Sequence, residues 1–85
     1  MNKRKYLIER YGFEKVVVEA MNNREVDVTF FVLNNSIETN DVDENNAYHY
    51  QDVVDFILNN NLLIENTEVS FSSKDGLYSI SNKTK

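Results

Sequence analysis

Apolar side chains recur at spacings of three and four between residues 47 and 60. This spacing places them on one stripe of an α-helix and predicts an amphipathic helix over the whole segment. Asn45 or Asn46 is a suitable N-cap, because a short polar side chain can accept a hydrogen bond from a free amide at a helix start. The buried stripe would consist of Ala47, Tyr50, Val53, Val54, Ile57 and Leu58, and the opposite face of Tyr48, Asp52, Asp55, Phe56 and Asn59.

A different pattern, alternation of apolar and polar residues, runs through residues 26–30 and continues into the apolar residues 30–33. Alternation with a period of two predicts a β-strand. Residues 13–21 are ambiguous, because three consecutive valines favour a strand while Phe13, Val17, Ala20 and Met21 also fit a helical stripe. We favour a strand, since residues 26–33 would pair with it through a hairpin turn at residues 22–25.

The C-terminal part of the chain predicts a second hairpin. Residues 67–73 alternate, with Val69 and Phe71 apolar, and residues 77–81 return as the second strand. Residues 74–76 form the turn, whose glycine is free to take a positive φ angle. Residues 82–85 are expected to be a frayed basic tail.

A short N-terminal helix over residues 3–11, ended by Gly12, completes the predicted fold. Together the elements predict a single α+β domain spanning residues 1–85. It would contain a small four-stranded antiparallel sheet from two β-hairpins, with the amphipathic helix packed on one face. The expected core places four helix residues against four strand residues: Tyr50, Val54, Ile57 and Leu58 against Val28, Phe30, Val69 and Phe71.

Charge is distributed very unevenly along the chain. The formal net charge is -5, yet residues 25–73 contain ten carboxylates and no lysine or arginine. The nine basic residues lie outside this segment, six in residues 3–24 and three in residues 74–85. A surface of one sign attracts oppositely charged partners and accelerates their association. The acidic segment therefore predicts a basic partner, and no direct contact with nucleic acid or anionic membranes.

Recognised catalytic patterns are absent from the sequence. His49 is the only histidine, there is no cysteine, and the two glycines are isolated, so no glycine-rich phosphate loop can form. We therefore expect a non-enzymatic protein without a cofactor. The longest strongly apolar run, residues 30–33, is too short to span a bilayer. The absence of cysteine fits a reducing compartment, so a cytoplasmic location is expected.

One segment resembles a calcium loop of the EF-hand type. Residues 41–52 place Asp41, Asp43 and Asn45 at the first, third and fifth positions, ahead of a predicted helix. However, Asn46 stands where glycine makes the sharp turn, and position twelve is an aspartate where a longer glutamate chelates with both oxygens. We therefore predict no metal ligands and a solvated acidic loop. A weak divalent-metal-binding regulator is kept as an alternative.

The acidic loop and the outward face of the helix together predict a binding surface. Aromatic rings supply contact area, and carboxylates select a basic partner. Such a partner would be the basic surface of a larger protein, in particular a site that binds nucleic acid. The predicted partner-binding residues are Glu38, Asp41, Asp43, Glu44, Tyr48, Asp52, Asp55 and Phe56.

In size, acidity and lack of catalytic motifs, the whole chain resembles the small acidic inhibitors that phages and mobile elements direct against host defences. These include anti-CRISPR proteins and other DNA mimics, and the resemblance involves no motif. It implies inhibition of a nuclease or of a nucleic-acid-binding effector such as a CRISPR-Cas complex. An alternative from another class is a structural or regulatory protein that forms a homodimer. It would self-associate through the strand containing Phe30 and Phe31 or through a hairpin edge.

Overall fold

Three helices precede the first strand. The structure is a computed structural model that describes residues 2–83. Its helices are α1 (Lys3–Tyr11), α2 (Lys15–Ala20), α3 (Asn23–Asn35) and α4 (Tyr50–Asn59), and its strands are β1 (Ser36–Thr39), β2 (Thr67–Ser72) and β3 (Leu77–Asn82). Two short 3-10 turns, Glu44–Asn46 and Ile64–Asn66, lie on either side of α4 in the sequence.

The strands form one mixed sheet in the order β1-β2-β3. β1 runs parallel to β2, with Ser36 opposite Val69, and β2 runs antiparallel to β3, with Phe71 opposite Tyr78. Parallel neighbours need a long crossover connection, which here contains α4. The fold is α+β, but the predicted four-stranded antiparallel sheet from two β-hairpins is wrong. Within residues 2–83 the sheet has three strands, and only the β2–β3 pair is a hairpin.

The first predicted hairpin is replaced by helix α3, whose N-terminus carries a capping box. The Asn22 side chain accepts a hydrogen bond from the Glu25 amide at 2.8 Å, and the Glu25 carboxylate accepts one from the Asn22 amide at 3.0 Å. These reciprocal bonds satisfy amide groups that would otherwise have no partner. Residues 22–25, predicted as a hairpin turn, therefore begin a helix.

Helix α3 is buried on two sides, which explains its strand-like sequence. Val28 and Val32 pack with α4 and the sheet, whereas Val26 packs with α1 and α2. A helix with two buried sides carries apolar residues over most of its circumference. The single apolar stripe that indicates a helix is therefore lost in residues 26–33, and the strand predicted there is wrong.

The ambiguous residues 13–21 contain the short helix α2, so the strand that we favoured is wrong. The helical alternative is correct for residues 15–20, but its predicted stripe is not, because Val17 and Ala20 are exposed. Val18 is fully buried, whereas Val16 is 70% exposed. The Arg4 guanidinium of α1 donates hydrogen bonds to the carbonyl groups of Val18 and Met21. Carbonyl groups at the end of a helix lack partners within the helix. A tertiary contact therefore stabilises α2 despite the strand propensity of its valines.

Two hydrophobic clusters share helix α3. Phe30 lies outside the main one, because its ring packs edge-on against Tyr6 of α1 at 5.3 Å, so its predicted place in the core is wrong. Tyr50, Leu58 and Phe71 are only partly buried. The main cluster consists of Val28, Phe31, Val32, Val53, Val54, Ile57 and Val69. The smaller cluster consists of Leu7, Val18 and Val26.

Helix α1 and the C-terminal hairpin are confirmed. Gly12 ends α1 with a φ of 75°, a left-handed conformation that glycine adopts without strain. Asn82, predicted in the tail, belongs to β3. The Lys83 amide donates a hydrogen bond to the Asn66 carbonyl at 2.8 Å. The last two residues of the predicted tail, 84 and 85, lie outside the described residues.

Candidate interaction surface

Tyr48 is held at the edge of the sheet and not within a helix. Helix α4 begins at Tyr50, three residues later than predicted, because Ala47 and His49 have extended backbones. The Tyr48 amide donates to the Tyr78 carbonyl at 2.7 Å, and the Tyr78 amide donates to the Tyr48 carbonyl at 2.8 Å. These two bonds form an isolated antiparallel bridge that fixes Tyr48 beside β3.

The Tyr48 ring stacks on the ring of Phe56 in α4. The two ring centroids lie 6.3 Å apart and the ring planes are inclined by 25°, within the range of offset-stacked aromatic pairs. Phe56 is still 41% exposed, because it lies on the face of α4 away from the main cluster. The two rings therefore form an ordered aromatic patch on the protein surface.

Two further tyrosines, Tyr50 and Tyr78, pack beside the main cluster. The Tyr78 ring lies 4.7 Å from the Phe71 ring and 6.0 Å from the Tyr50 ring. Burial raises the pKa of Tyr50 from 10.0 to about 12. None of residues 2–83 forms a hydrogen bond with the buried Tyr50 hydroxyl. Burial also raises the pKa of Tyr78, so both phenols are neutral packing groups at pH 7.

Two carboxylates lie near Phe56 in the sequence of α4, and one of them shares its face of the helix. Asp52 lies one helical turn before Phe56 and shares its face, and Asp55 is the immediate neighbour; both are exposed. The Gln51 side-chain amide donates a hydrogen bond to one oxygen of Asp55 at 3.0 Å. Asp52 lies in the first turn of α4, where a negative charge is favoured by the helix dipole. Negative charge and aromatic surface are therefore adjacent on this helix.

The acidic loop leads from β1 to the bridge at Tyr48. The Thr39 hydroxyl donates a hydrogen bond to the Asp41 carbonyl at 3.0 Å, and the Asp43 carboxylate accepts one from the Asn45 amide at 3.0 Å. The second bond caps the 3-10 turn Glu44–Asn46, which packs beside β3. We define the acidic-aromatic surface as the exposed acids of the loop together with the two stacked rings and the two exposed acids of α4: Asp41, Asp43, Glu44, Tyr48, Asp52, Asp55 and Phe56.

Glu38 lies apart from this surface. It belongs to β1, and the order of strands places β1 and β3 at opposite edges of the sheet. Two strand spacings, about 10 Å, separate these edges. The structure therefore brings Tyr48 and Phe56 into contact, with Asp52 and Asp55 on the same helix as Phe56. Asp43 and Glu44 lie at the turn beside β3, whereas Asp41 lies just after the end of β1 and Glu38 within it.

The carboxylates of the acidic-aromatic surface are not neutralised by cations within residues 2–83. The ion pairs in this part of the chain are Lys3–Asp27 at 3.0 Å and Lys15–Glu19 at 3.7 Å. Both pairs involve only the three N-terminal helices. Among the described residues, the loop and α4 therefore present their negative charge to solvent.

The acidic loop does not form a cluster of metal ligands. Within residues 2–83, no three side chains of His, Cys, Asp or Glu converge in a way that could hold a metal ion. The Asp43 carboxylate is used as a local cap, and the segment before the loop is a strand where an EF-hand has a helix.

Each helix within residues 2–83 is too short or too polar to span a bilayer.

Comparison of the chain with family models, curated proteins and solved structures gave no match. What the surface does must therefore be argued from its own residues.

The sequence pattern placed Tyr48 and Phe56 on one face but did not indicate that Tyr78 holds the Tyr48 backbone in place. A backbone bridge between Tyr48 and β3 joins distant parts of the chain, and no local pattern indicates it. The available signal was the alternation of Tyr78 with Ile80, which places both side chains on one face of the sheet. That signal indicates an aromatic side chain next to α4, but not the bridge.

Proposed function

We propose that the protein is a non-enzymatic binding module that occupies a basic, nucleic-acid-binding site on a larger protein. The observation that carries this proposal is the acidic-aromatic surface, where exposed carboxylates without ion-pair partners among residues 2–83 accompany a stacked pair of rings. A partner of this kind would be a nuclease or another defence effector, such as a CRISPR-Cas complex. The protein would then act as an inhibitor of phage or mobile-element origin.

The two kinds of residue have different roles in such a complex. Exposed carboxylates attract a basic partner over long distances and mainly raise the rate of association. An aromatic side chain that becomes buried in the complex contributes more binding free energy than most other residues of the interface. Because Tyr48 is fixed by its bridge to β3, the stacked rings lose little conformational freedom on binding.

Carboxylates on a rigid fold can also take the place of phosphate groups. Their charges are spread here over a capped loop and the first turns of a helix, so they occupy defined positions rather than a flexible tail. Arginine and lysine side chains that bind phosphates form similar charge-assisted hydrogen bonds with carboxylates. Occupation of a nucleic-acid site would then exclude the nucleic acid itself.

Site-specific photo-crosslinking tests this function in the cells that naturally produce the protein. A photoreactive residue at position 56 is expected to capture a basic, nucleic-acid-binding protein. The matched control carries the same residue at position 16, which is also exposed but lies on α2 in the N-terminal helices. Capture of the same protein from position 16 and not from position 56 would place the contact elsewhere and exclude this proposal.

The rates of binding separate the two roles once the partner has been captured. Reversing the loop acids Asp41, Asp43 and Glu44 to lysine should mainly slow association and weaken its dependence on salt. Phe56→Ala should mainly accelerate dissociation, provided that the variant remains folded. Surface plasmon resonance measures both rates. Equal effects of the two variants on both rates would contradict the division into steering acids and an aromatic anchor.

A homodimer is the second candidate function, because one edge of the sheet has no backbone partner in the described chain. Tyr48 occupies part of the β3 edge, whereas no described backbone group outside the sheet bonds to β1. Ile37 of β1 is 51% exposed. The other proposed route, a strand containing Phe30, does not exist because this residue lies in α3. Size-exclusion chromatography over a range of concentrations tests the β1 route, and a constant monomer excludes it.

A further inference from the structure

The Phe56 ring offers an open aromatic surface to a partner. One side of the ring is used by Tyr48, and 41% of the residue remains exposed. A planar cation is attracted to the face of an aromatic ring, and the attraction is stronger once water is displaced. An exposed ring in an acidic surface is therefore suited to a side chain that is both flat and positively charged.

No basic side chain of the described chain uses this ring. The cation–π contact within residues 2–83 is made elsewhere, where the Lys3 amine lies 5.5 Å from the centroid of the Phe30 ring. Lys3 is also bound to Asp27 at 3.0 Å. In the N-terminal helices, the Lys3 amine is thus paired within the chain with both the Phe30 ring and the Asp27 carboxylate. At Phe56 the ring and the carboxylates are present, and the cation is left to the partner.

The Asp52 carboxylate is placed to bind the edge of that cation, because it lies one turn before Phe56 on the same face of α4. Asp55 is adjacent to Phe56 in sequence, lies on a different side of the helix and has one oxygen hydrogen-bonded to Gln51. A guanidinium group can stack its face on a ring while its edge donates hydrogen bonds to a carboxylate. A lysine ammonium can also contact a ring and a carboxylate together, as Lys3 does with Phe30 and Asp27, but it is a point charge with no flat face to stack and no paired edge donors.

From this arrangement we infer that the anchor of the partner is an arginine side chain, stacked on the exposed Phe56 ring and paired with Asp52. This inference rests on the proposed function and specifies which basic residue the acidic-aromatic surface selects. The loop acids attract either basic residue, whereas the Phe56 ring and the Asp52 carboxylate favour the flat guanidinium of arginine over lysine.

Two short peptides of equal length and equal charge test the inference on the full chain. One carries arginine and the other carries lysine at the same positions between glycine and serine residues. At low salt we expect the arginine peptide to bind the protein more tightly, by up to about fivefold, the factor that corresponds to a whole exposed cation–π contact. In nuclear magnetic resonance spectra, its side-chain protons should shift upfield and the amides of α4 should respond.

Substitutions at position 56 separate the aromatic contribution from size and charge. Phe56→Leu keeps an apolar side chain and should remove the preference for arginine, whereas Phe56→Tyr should retain it. Glu65→Gln, an exposed acid outside the surface, serves as the control for loss of one charge and should leave the preference unchanged.

The possible outcomes separate this inference from the function on which it rests. Equal binding of both peptides through α4 would overturn the arginine anchor and leave the acidic module intact. A preference for arginine that survives Phe56→Leu would place arginine recognition elsewhere and also overturn it. If neither peptide affects the acidic-aromatic surface at low salt, both the arginine anchor and the proposed function are wrong.

Discussion

The two sides of helix α3 differ in the size of their cores and in their charge. On one side, α1 and α2 bury a cluster of only three residues, while α2 leaves Val16 and Val17 exposed. On the other side, α4 and the sheet bury seven residues with several partly buried aromatics around them. Buried apolar area is the main source of stability, so the sheet side is expected to be the more stable scaffold.

The charge follows much of the same division, apart from Lys74 and Lys83, which come after β2 and β3 on the sheet side. Six basic residues lie between residues 3 and 24, and the segment without lysine or arginine begins at residue 25, in the first turn of α3. The Lys3–Asp27 ion pair connects the two regions. The comparison indicates that the N-terminal helices complete the packing of α3, whereas the sheet side holds the acidic-aromatic surface on a rigid support.

The largest effect on this comparison is expected from Ile57→Ala in the main cluster. Ile57 is fully buried, and removal of a large buried side chain costs about 2–5 kcal/mol. We expect a value in the upper part of this range, measured by urea unfolding. Leu63→Ala, at a position 60% exposed, is the control and should stay within about 0.5 kcal/mol. A loss below about 1 kcal/mol for Ile57→Ala would contradict the assigned main core.

Leu7→Ala makes the corresponding change in the smaller cluster. Leu7 is also fully buried, but fewer buried neighbours surround it, so the cavity can collapse more easily. We expect a loss of about 2–3 kcal/mol, smaller than for Ile57→Ala. Hydrogen exchange should become faster in α1 and α2 before it changes in β2. Equal acceleration of exchange in all elements would show that the two sides unfold as one unit. It would contradict the expected difference in stability between them.

The helix that both clusters share, α3, can be destabilised at its N-terminal capping box. Asn22→Ala removes the acceptor of the Glu25 amide and should cost about 1 kcal/mol. Asn22→Gly is the matched control, because glycine at an N-cap costs only a few tenths of a kcal/mol. Thermal unfolding of the two variants measures the difference. Identical melting temperatures would mean that α3 is held by packing alone and that its cap contributes nothing.

High pH should destabilise the sheet side through Tyr50, with no effect near pH 7, where the preceding variants are compared. Burial raises the pKa of Tyr50 from 10.0 to about 12, so the unfolded chain releases this proton at a lower pH than the folded protein. Its contribution is therefore intact below pH 10 and is lost as the pH rises towards about 12. Tyr50→Phe should reduce the fall in stability over this interval. An unchanged pH profile in urea unfolding would contradict the burial of this phenol.

Local patterns predicted the elements whose surroundings are simple. Helix α1 ends at a glycine, α4 has a single buried stripe, and the β2–β3 hairpin has a short turn with Gly76 at φ 67°. Helix α3 was mistaken for a strand because its two buried sides remove the helical period. β1 was missed because it has one apolar residue and pairs with β2, a distant part of the chain. Such pairing is decided by tertiary contacts and leaves no local pattern.

The candidate site was predicted better than the fold around it. The outward positions of Asp52, Asp55 and Phe56 follow from the helical period alone, which does not depend on the sheet topology. The stacking of Tyr48 on Phe56 was not predictable in detail, since Tyr48 lies outside the helix and is positioned by its bridge to Tyr78. The binding role of these residues remains a prediction.

Competition with nucleic acid is the most direct test of the central claim, that the acidic-aromatic surface occupies a basic nucleic-acid-binding site. The affinity of the protein for its captured partner would be measured at two ionic strengths, each with and without the nucleic acid that the partner binds. We predict weaker binding at the higher ionic strength, because salt screens exposed charges, and mutual exclusion of the protein and the nucleic acid. An affinity that is independent of salt, with both ligands bound to the partner simultaneously and without penalty, would contradict the claim.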